Sequence, residues 1–403
     1  MKRSGIAAIL LSAILLTSCG ADELTAGEKF SYGYGEVAAL ELNDFSIRLF
    51  DACMSEVENT LISPLSVLFA LGMTAEGACG NTLSEIEAAV GLDIVGLSES
   101  LNSVYSTIES AQGGKQRVRL ADSIWMREYD FTPNEEFLKL NAEVYAADVY
   151  SAPFDSSTLH DINKWVSGKT DGMIKDIIDE IPEDAVMYLV NALSFECEWK
   201  DIYKKNDVRN ADFHLSDGST KKVKMMYSEE TSYLEGKDFS GFIKYYSGGK
   251  YAFAAILPNE DSSVEKVIDS LDGESLTKLL NEPVLNGVVS AGIPKFSAEY
   301  SAKLNDVLKK LGISDAFDSD KADLSNIGAS PNGNIFISRI LHKAFIEVAE
   351  KGTKAGAATV VEAVDECAIM YDKAYEVVLD RPFIYVIYST ESCVPLFIGT
   401  YAG

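Results

Sequence analysis

Side chains able to do covalent chemistry are few in this chain, and they are scattered. There are three histidines, His160, His214 and His342, and six cysteines, Cys19, Cys53, Cys79, Cys197, Cys367 and Cys393. No G-x-S-x-G turn presents a serine, and no H-E-x-x-H pair holds a zinc ion. Gly168-Lys169-Thr170 ends like a phosphate loop, but Asn163 stands where the first glycine belongs. The stretch therefore reads as a polar break in a helix. The cysteines include no C-x-x-C pair, and the five beyond Cys19 are too irregular for a disulfide framework. Four of those five lie in apolar contexts and read as small core residues, with Cys367 the exposed one. His342, in LHKAFIEV, has no partner motif and reads as a hydrogen-bonded structural residue. These absences predict a protein that is not an enzyme and uses no cofactor and no metal.

The spacing that does suggest a function is EKGTKAGAATVVEAVDEC, residues 350 to 367. Its alanines favour helix, but Gly352, Gly356 and the β-branched Thr359, Val360 and Val361 oppose it. With a period of two, Thr353, Ala355, Ala357, Thr359, Val361 and Ala363 share one face, and none is charged or large. Between Thr353 and Val364 the charges are Lys354 and Glu362, both on the other face. A segment flanked by strand-like runs is thus written so that it could enter a sheet as a strand.

The body that must hold this segment is large. Hydrophobic residues make up 47% of 403 residues and prolines number only 10, which suits a sizeable core rather than a disordered chain. A formal charge of -27 excludes nucleic acid and anionic membrane surfaces as partners, because the field repels phosphate. At the N-terminus, Lys2 and Arg3 precede an apolar run from Ile6 to Leu16, too short to span a bilayer and typical of an export signal. Leu16, Thr17, Ser18 and Cys19 resemble the lipobox of bacterial lipoproteins. That implies a signal peptide over 1–18, a lipidated Cys19 and a tether to about residue 40. The protein would be exported and anchored at the cell surface through its lipid, or secreted.

Periodicity places helices at Asn43–Met54, from Ser63-Pro64, from Asn81-Thr82, at Pro133–Tyr145, in the first part of 162–178, at Ser263–Leu280 and at Ala302–Leu311. Strands are predicted at RLADSIWMREY, AVMYLVNALSFECEW, KKVKMMY, FIKYYS, KYAFAAILP, VVSAGIPKF, NIFISRILHKAFIEVAE, EVVLDRPFIYVIYS and VPLFIGTYA. With no repeats and no internal linker, the pattern predicts a single α+β domain.

Five motifs in order are similar to those of the serpin family, over about Asn43 to Ala402. They are Asn59-Thr60-Leu61-Ile62-Ser63-Pro64-Leu65-Ser66; Gly77-Ala78-Cys79-Gly80-Asn81-Thr82; and Val190-Asn191-Ala192-Leu193 through Phe195 to Trp199. The fourth is His342-Lys343-Ala344 with Glu347-Val348, Glu350 and Gly352-Thr353. The fifth is Asp380-Arg381-Pro382-Phe383 with Pro395-Leu396-Phe397 and Gly399. Two departures are visible. Glu196 and Cys197 replace the usual Lys-Gly, and the stretch from Cys367 to Asp380 is longer than common.

The resemblance implies a serpin fold over 41–403, with three β-sheets, a large central sheet and eight to nine helices. It implies an exposed reactive loop at about 350–376. A serine protease attacks such a loop and forms an acyl-enzyme; the cut loop then inserts as a new central strand and traps the protease covalently. Some cysteine proteases are further targets on this reading. The implied hinge is Glu350, Gly352, Thr353, Ala355, Gly356, Ala357, Ala358 and Thr359. Ser63, Ser66, Asn191, His342 and Trp199 are the implied sheet-opening residues, with Trp199 and Glu350 near the start of insertion. Static core packing is the alternative for these. Family spacing counted from Glu350 puts the reactive bond at Glu366-Cys367, or at Cys367-Ala368 with one added residue. The Cys367-Ala368 register suits elastase-like targets, whose pockets accept small apolar side chains. The other reading is a non-inhibitory serpin, a surface binding or carrier protein whose loop is only cut.

Overall fold

The computed structural model describes residues 20–25, 37–54, 59–128, 132–183, 185–331, 334–353 and 373–403. Nine α-helices and three sheets of seven, six and four strands, with one two-stranded pair, make up the described residues. The seven-stranded sheet runs Asp22–Thr25, Asp148–Ala152, Gln116–Arg127, Met187–Glu198, Gly352–Thr353, Arg339–Ala349, Phe296–Lys303. Its two faces bury different clusters, as strand alternation requires. Leu189, Leu193, Phe195, Ile346 and Val348 face the main core, shared with the six-stranded sheet. Tyr188, Val190 and Leu341 face a smaller cluster with Ile162 and Val166 of helix Ser156–Lys169.

Helix Pro64–Gly77 crosses the main core. It is apolar on every side, so it is buried on every side. Its start is fixed locally: Ser63 accepts from the Ser66 N–H at 3.3 Å, and Pro64 at the first helical position forfeits no bond. The Gly168-Lys169-Thr170 stretch closes helix Ser156–Lys169, with the Thr170 hydroxyl donating back to the Val166 carbonyl.

Several elements differ from expectation. Helix Ile94–Ser110, with five serines, is not among the expected helices; Asp93 caps it, and Leu97, Leu101, Val104 and Ile108 bury one face. Ser263–Leu280 is two helices, Val264–Asp269 and Gly273–Asn281, because Asp272 and Ser275 form a reciprocal capping box. Ala302 and Lys303 end a strand rather than start a helix; that helix is Asn305–Lys310. Cys197 and Cys393 are buried, whereas Cys53 and Cys79 are only half-buried; all four are free thiols. Within the stretch expected as a tether, Asp22–Thr25 pairs antiparallel with Asp148–Ala152 at the sheet edge, and the Ala21 N–H donates to Asp161 of helix Ser156–Lys169. Cys19 lies outside the described residues.

Candidate functional site

The central sheet is zipped at one end and split at the other. Strands Met187–Glu198 and Arg339–Ala349 run parallel and pair directly from Tyr188 to Ala192 and from Arg339 to Lys343. Further up, Gly352–Thr353 lies between them, antiparallel to both, with Thr353 opposite Cys197 and Val348. Between these levels lie Leu193–Glu196 and Ala344–Glu347. Among the described residues no strand lies between them, and the two strands do not pair with each other there. Backbone N–H and C=O groups along such edges form a template for an added strand.

Residues 349–353 are fixed above this stretch by both side chains and backbone. Trp199 donates its indole N–H to the Ala349 carbonyl at 2.9 Å and its backbone N–H to the Lys351 carbonyl at 2.8 Å. The Tyr203 N–H reaches the Glu350 carbonyl at 2.9 Å. Gly352 is obligatory: a Cβ there would sit 2.0 Å from the Cys197 carbonyl oxygen. Thr353 is fully buried on the main-core face, its Oγ1 2.6 Å from the Tyr246 hydroxyl. Tyr246 in turn stacks on Trp199, with ring centroids 4.3 Å apart. Lys295 pairs with Glu350 at 2.8 Å, but both side chains are about a third exposed, so the pair contributes no more than about 1 kcal/mol. Lys244 is buried beneath the hinge, compensated by Glu230 at 2.7 Å and by the Tyr203 ring.

A second polar group lies at the level where the strands still pair. Asp122, Asn191 and His342 occupy one register on three adjacent strands, all on the main-core face. Asn191 donates its amide to the Asp122 carboxyl. His342 Nε2 accepts the Ser63 N–H at 3.2 Å, and Ser63 Oγ donates to Ser66 Oγ at 2.9 Å. The imidazole therefore carries its proton on Nδ1, and burial pushes its pKa down to about 4. Burial pushes the Asp122 carboxyl well above the usual carboxylate range. At this level, among the described residues, no side-chain hydrogen bond crosses the seam between the two strands. Asn191 is tied to one side and His342 to the other, so parting them breaks no such bond.

The expected residues fall into two groups. Ser63, Ser66 and His342 meet directly, and Asn191 lies beside them by register. Trp199 is not part of that group; it stands with Glu350, Gly352 and Thr353 at the hinge, because it follows the last residue of its strand. The ends of the expected loop, 350–353 and 373–376, belong to turns and strands. Ala355, Gly356, Ala357, Ala358, Thr359, Glu366, Cys367 and Ala368 lie outside the described residues. Asp122, Tyr246, Lys295, Tyr203 and Lys244 were not anticipated. Asp122 alone carried a signal: an acid inside an alternating strand, at a position of the inward-facing set.

Comparison with known proteins agrees with this arrangement. The family model "Serpin (serine protease inhibitor)" matches residues 40–402. Rat leukocyte elastase inhibitor A is 32% identical, over 88% of this chain and 96% of that protein. Human neuroserpin is 30% identical, over 88% and 89% respectively. Among solved structures, the thermophilic serpin tengpin in its native state is 40% identical, covers 95% of this chain and 100% of its own, and superposes with a TM-score of 0.89. The same protein in its latent state is 41% identical, covers 92% and 99%, and gives 0.80. With five ordered motifs, a divided central sheet and a family match over nearly the whole folded body, the chain belongs to the serpin family.

Proposed function

We propose that this protein inhibits serine proteases as a single-use trap, its loop being cut and then drawn into the central sheet before the acyl-enzyme can hydrolyse. The observation that carries the reading is Gly352–Thr353 seated between Met187–Glu198 and Arg339–Ala349, with no strand among the described residues between Leu193–Glu196 and Ala344–Glu347 below it. The next residues in the chain are those whose odd-numbered positions are small and uncharged, as a strand buried on one face requires. A cut at Cys367-Ala368 would place a small apolar side chain before the bond, which suits elastase-like proteases, and the likeness to leukocyte elastase inhibitors supports that choice. Acidic Asp365 and Glu366 oppose trypsin-like pockets, which carry a carboxylate.

Incubation with a panel of serine and cysteine proteases, followed by denaturing electrophoresis, tests this. The expected result is a denaturant-stable adduct that releases a C-terminal peptide beginning near Cys367. Cleavage by every protease with no adduct would assign the protein to the non-inhibitory class. The lipobox-like Leu16–Cys19 further supports a surface-anchored protein, which the mass of the N-terminal peptide from membranes would test.

A further inference from the structure

Beside the point where the loop returns to the body there is an apolar surface that strand insertion does not use. Strand Lys373–Val378 is the first described element after the loop and runs parallel to Gly287–Pro294. Its Tyr375 ring stacks on Tyr233 with centroids 3.8 Å apart and planes 10° from parallel. The same ring lies against the chain at Gly287, where a Cβ would be 2.6 Å from it. Val284 is bridged to Tyr233 through two backbone hydrogen bonds of 2.8 and 3.0 Å. Leu285, held between these contacts, is 65% exposed. Next to it opens a cavity of about 540 Å³ with Leu234, Phe239, Leu271 and Leu279 in its lining and Tyr233 and Val284 at its edge. Lys237 and Lys278 share the lining with Glu235, Asp238 and Glu282, so no strong charge of one sign dominates it and the apolar residues set what it accepts.

We propose that this surface is a second docking site for the target protease. A protruding protease loop with an apolar tip, on the leaving-group side of its active site, seats on Leu285 and the tyrosine stack and enters the cavity. The inference rests on the reading of the loop as protease bait. Its argument is reach. Tyr375 lies eight residues beyond Cys367, at most roughly 26–29 Å of extended chain. A protease of about 230 residues is ~45 Å across, so its body lies over this patch when it holds the bond. Stable complexes cover about 800 Å² on each partner, more than one extended loop in a cleft provides, so neighbouring body surface must contribute. Of the large, exposed hydrophobic side chains among the described residues, Leu24, Leu40, Val95 and Leu285, only Leu285 adjoins the loop's return strand. Tyrosine-rich apolar patches are where binding energy concentrates.

Leu285→Glu is the test, with Val95→Glu as a matched control at a similarly exposed residue on helix Ile94–Ser110. The readout is the second-order rate constant toward an elastase-type serine protease, or kcat/KM for loop cleavage where no adduct forms. We expect Leu285→Glu to lower it about tenfold, with the stoichiometry of inhibition unchanged and Val95→Glu matching the parent. Equal rates for all three proteins would overturn the docking site while leaving the trap intact. Absence of any adduct would refute the trap, and the cleavage rates would still decide the docking site. Self-association of the parent that Leu285→Glu abolishes, without a rate effect, would assign the surface to a second copy of this chain instead.

Discussion

The Tyr246 hydroxyl lies 2.6 Å from Oγ1 of Thr353, deep in the core and just beyond a strand of the six-stranded sheet. The first inserted residue of the hinge is therefore bonded across to the second sheet, and the seated state is held by a buried polar contact as well as by strand pairing. Phenylalanine at 246 would leave the Thr353 hydroxyl buried without a partner, a cost of about 1–3 kcal/mol. Tyr246→Phe should therefore speed amide exchange over residues 349–353. Thr353→Val should do the same, and the double variant should cost less than the sum, since neither polar group is then stranded. Unchanged protection in Tyr246→Phe would show that the contact does not hold the hinge.

Cutting the loop should stabilise the protein. Leu193–Glu196 and Ala344–Glu347, four residues on each edge, pair with their outer neighbours but have no partner strand between them among the described residues. A strand inserted there would add backbone hydrogen bonds worth ~1 kcal/mol each net. With the newly buried small side chains, the melting temperature should rise by roughly 10–20 °C. Calorimetry before and after cleavage at the loop reads this directly, and coincident melting curves would rule out insertion.

The fold was legible in the sequence wherever burial was one-sided or complete. The strand-like runs over Met187–Glu198 and Tyr251–Pro258 both became strands, and Thr353, first on the uncharged face of the period-two reading, is buried. Helix Ile94–Ser110 was not legible, because its five serines, two of them buried, obscured the Leu97, Leu101, Val104, Ile108 row. Within the site, residues adjacent in sequence could be read, but cross-strand partners could not. Tyr246 meets Thr353 across 107 positions, and Asn191 meets Asp122 across 69. No local pattern encodes those pairings; they follow from register, which only the assembled sheet defines.

Asp122 and His342 should give opposing pH dependences. His342 has a folded pKa depressed from 6.5 to about 4, so its contribution is full above pH 6.5 and is lost as pH falls toward 4, by about 3 kcal/mol. Asp122 is shifted the other way: its raised folded pKa stabilises the protein at low pH, and that contribution is lost as pH rises above the ordinary carboxylate range. Above the ordinary carboxylate range the two slopes therefore oppose one another. Asp122→Asn should unmask the histidine, so that stability climbs as pH rises from about 4 to 6.5. His342→Gln should unmask the aspartate and reverse the sign. Urea midpoints at half-unit pH steps would measure both, and parallel profiles for the two variants would contradict the assignment.

Thr353→Arg should convert the inhibitor into a substrate. The side chain at 353 is enclosed by Tyr246 and by the strands bearing Cys197 and Val348, with no carboxylate among these contacts. Seating an arginine there means desolvating its guanidinium unpaired, at several kcal/mol. Insertion competes with hydrolysis of the acyl-enzyme, and each ~1.4 kcal/mol added to the insertion barrier slows it about tenfold. Hydrolysis then wins. The variant should be cut at the same bond as the parent, yet release active protease. The moles consumed per protease inactivated should rise at least tenfold. Lys354→Glu, assigned by the alternation to the opposite face, should leave that ratio near the parent's, because its side chain need not enter the core. Equal ratios for Thr353→Arg and the parent would mean that position 353 does not remain seated while the protease is trapped, and the face assignment would fall with it.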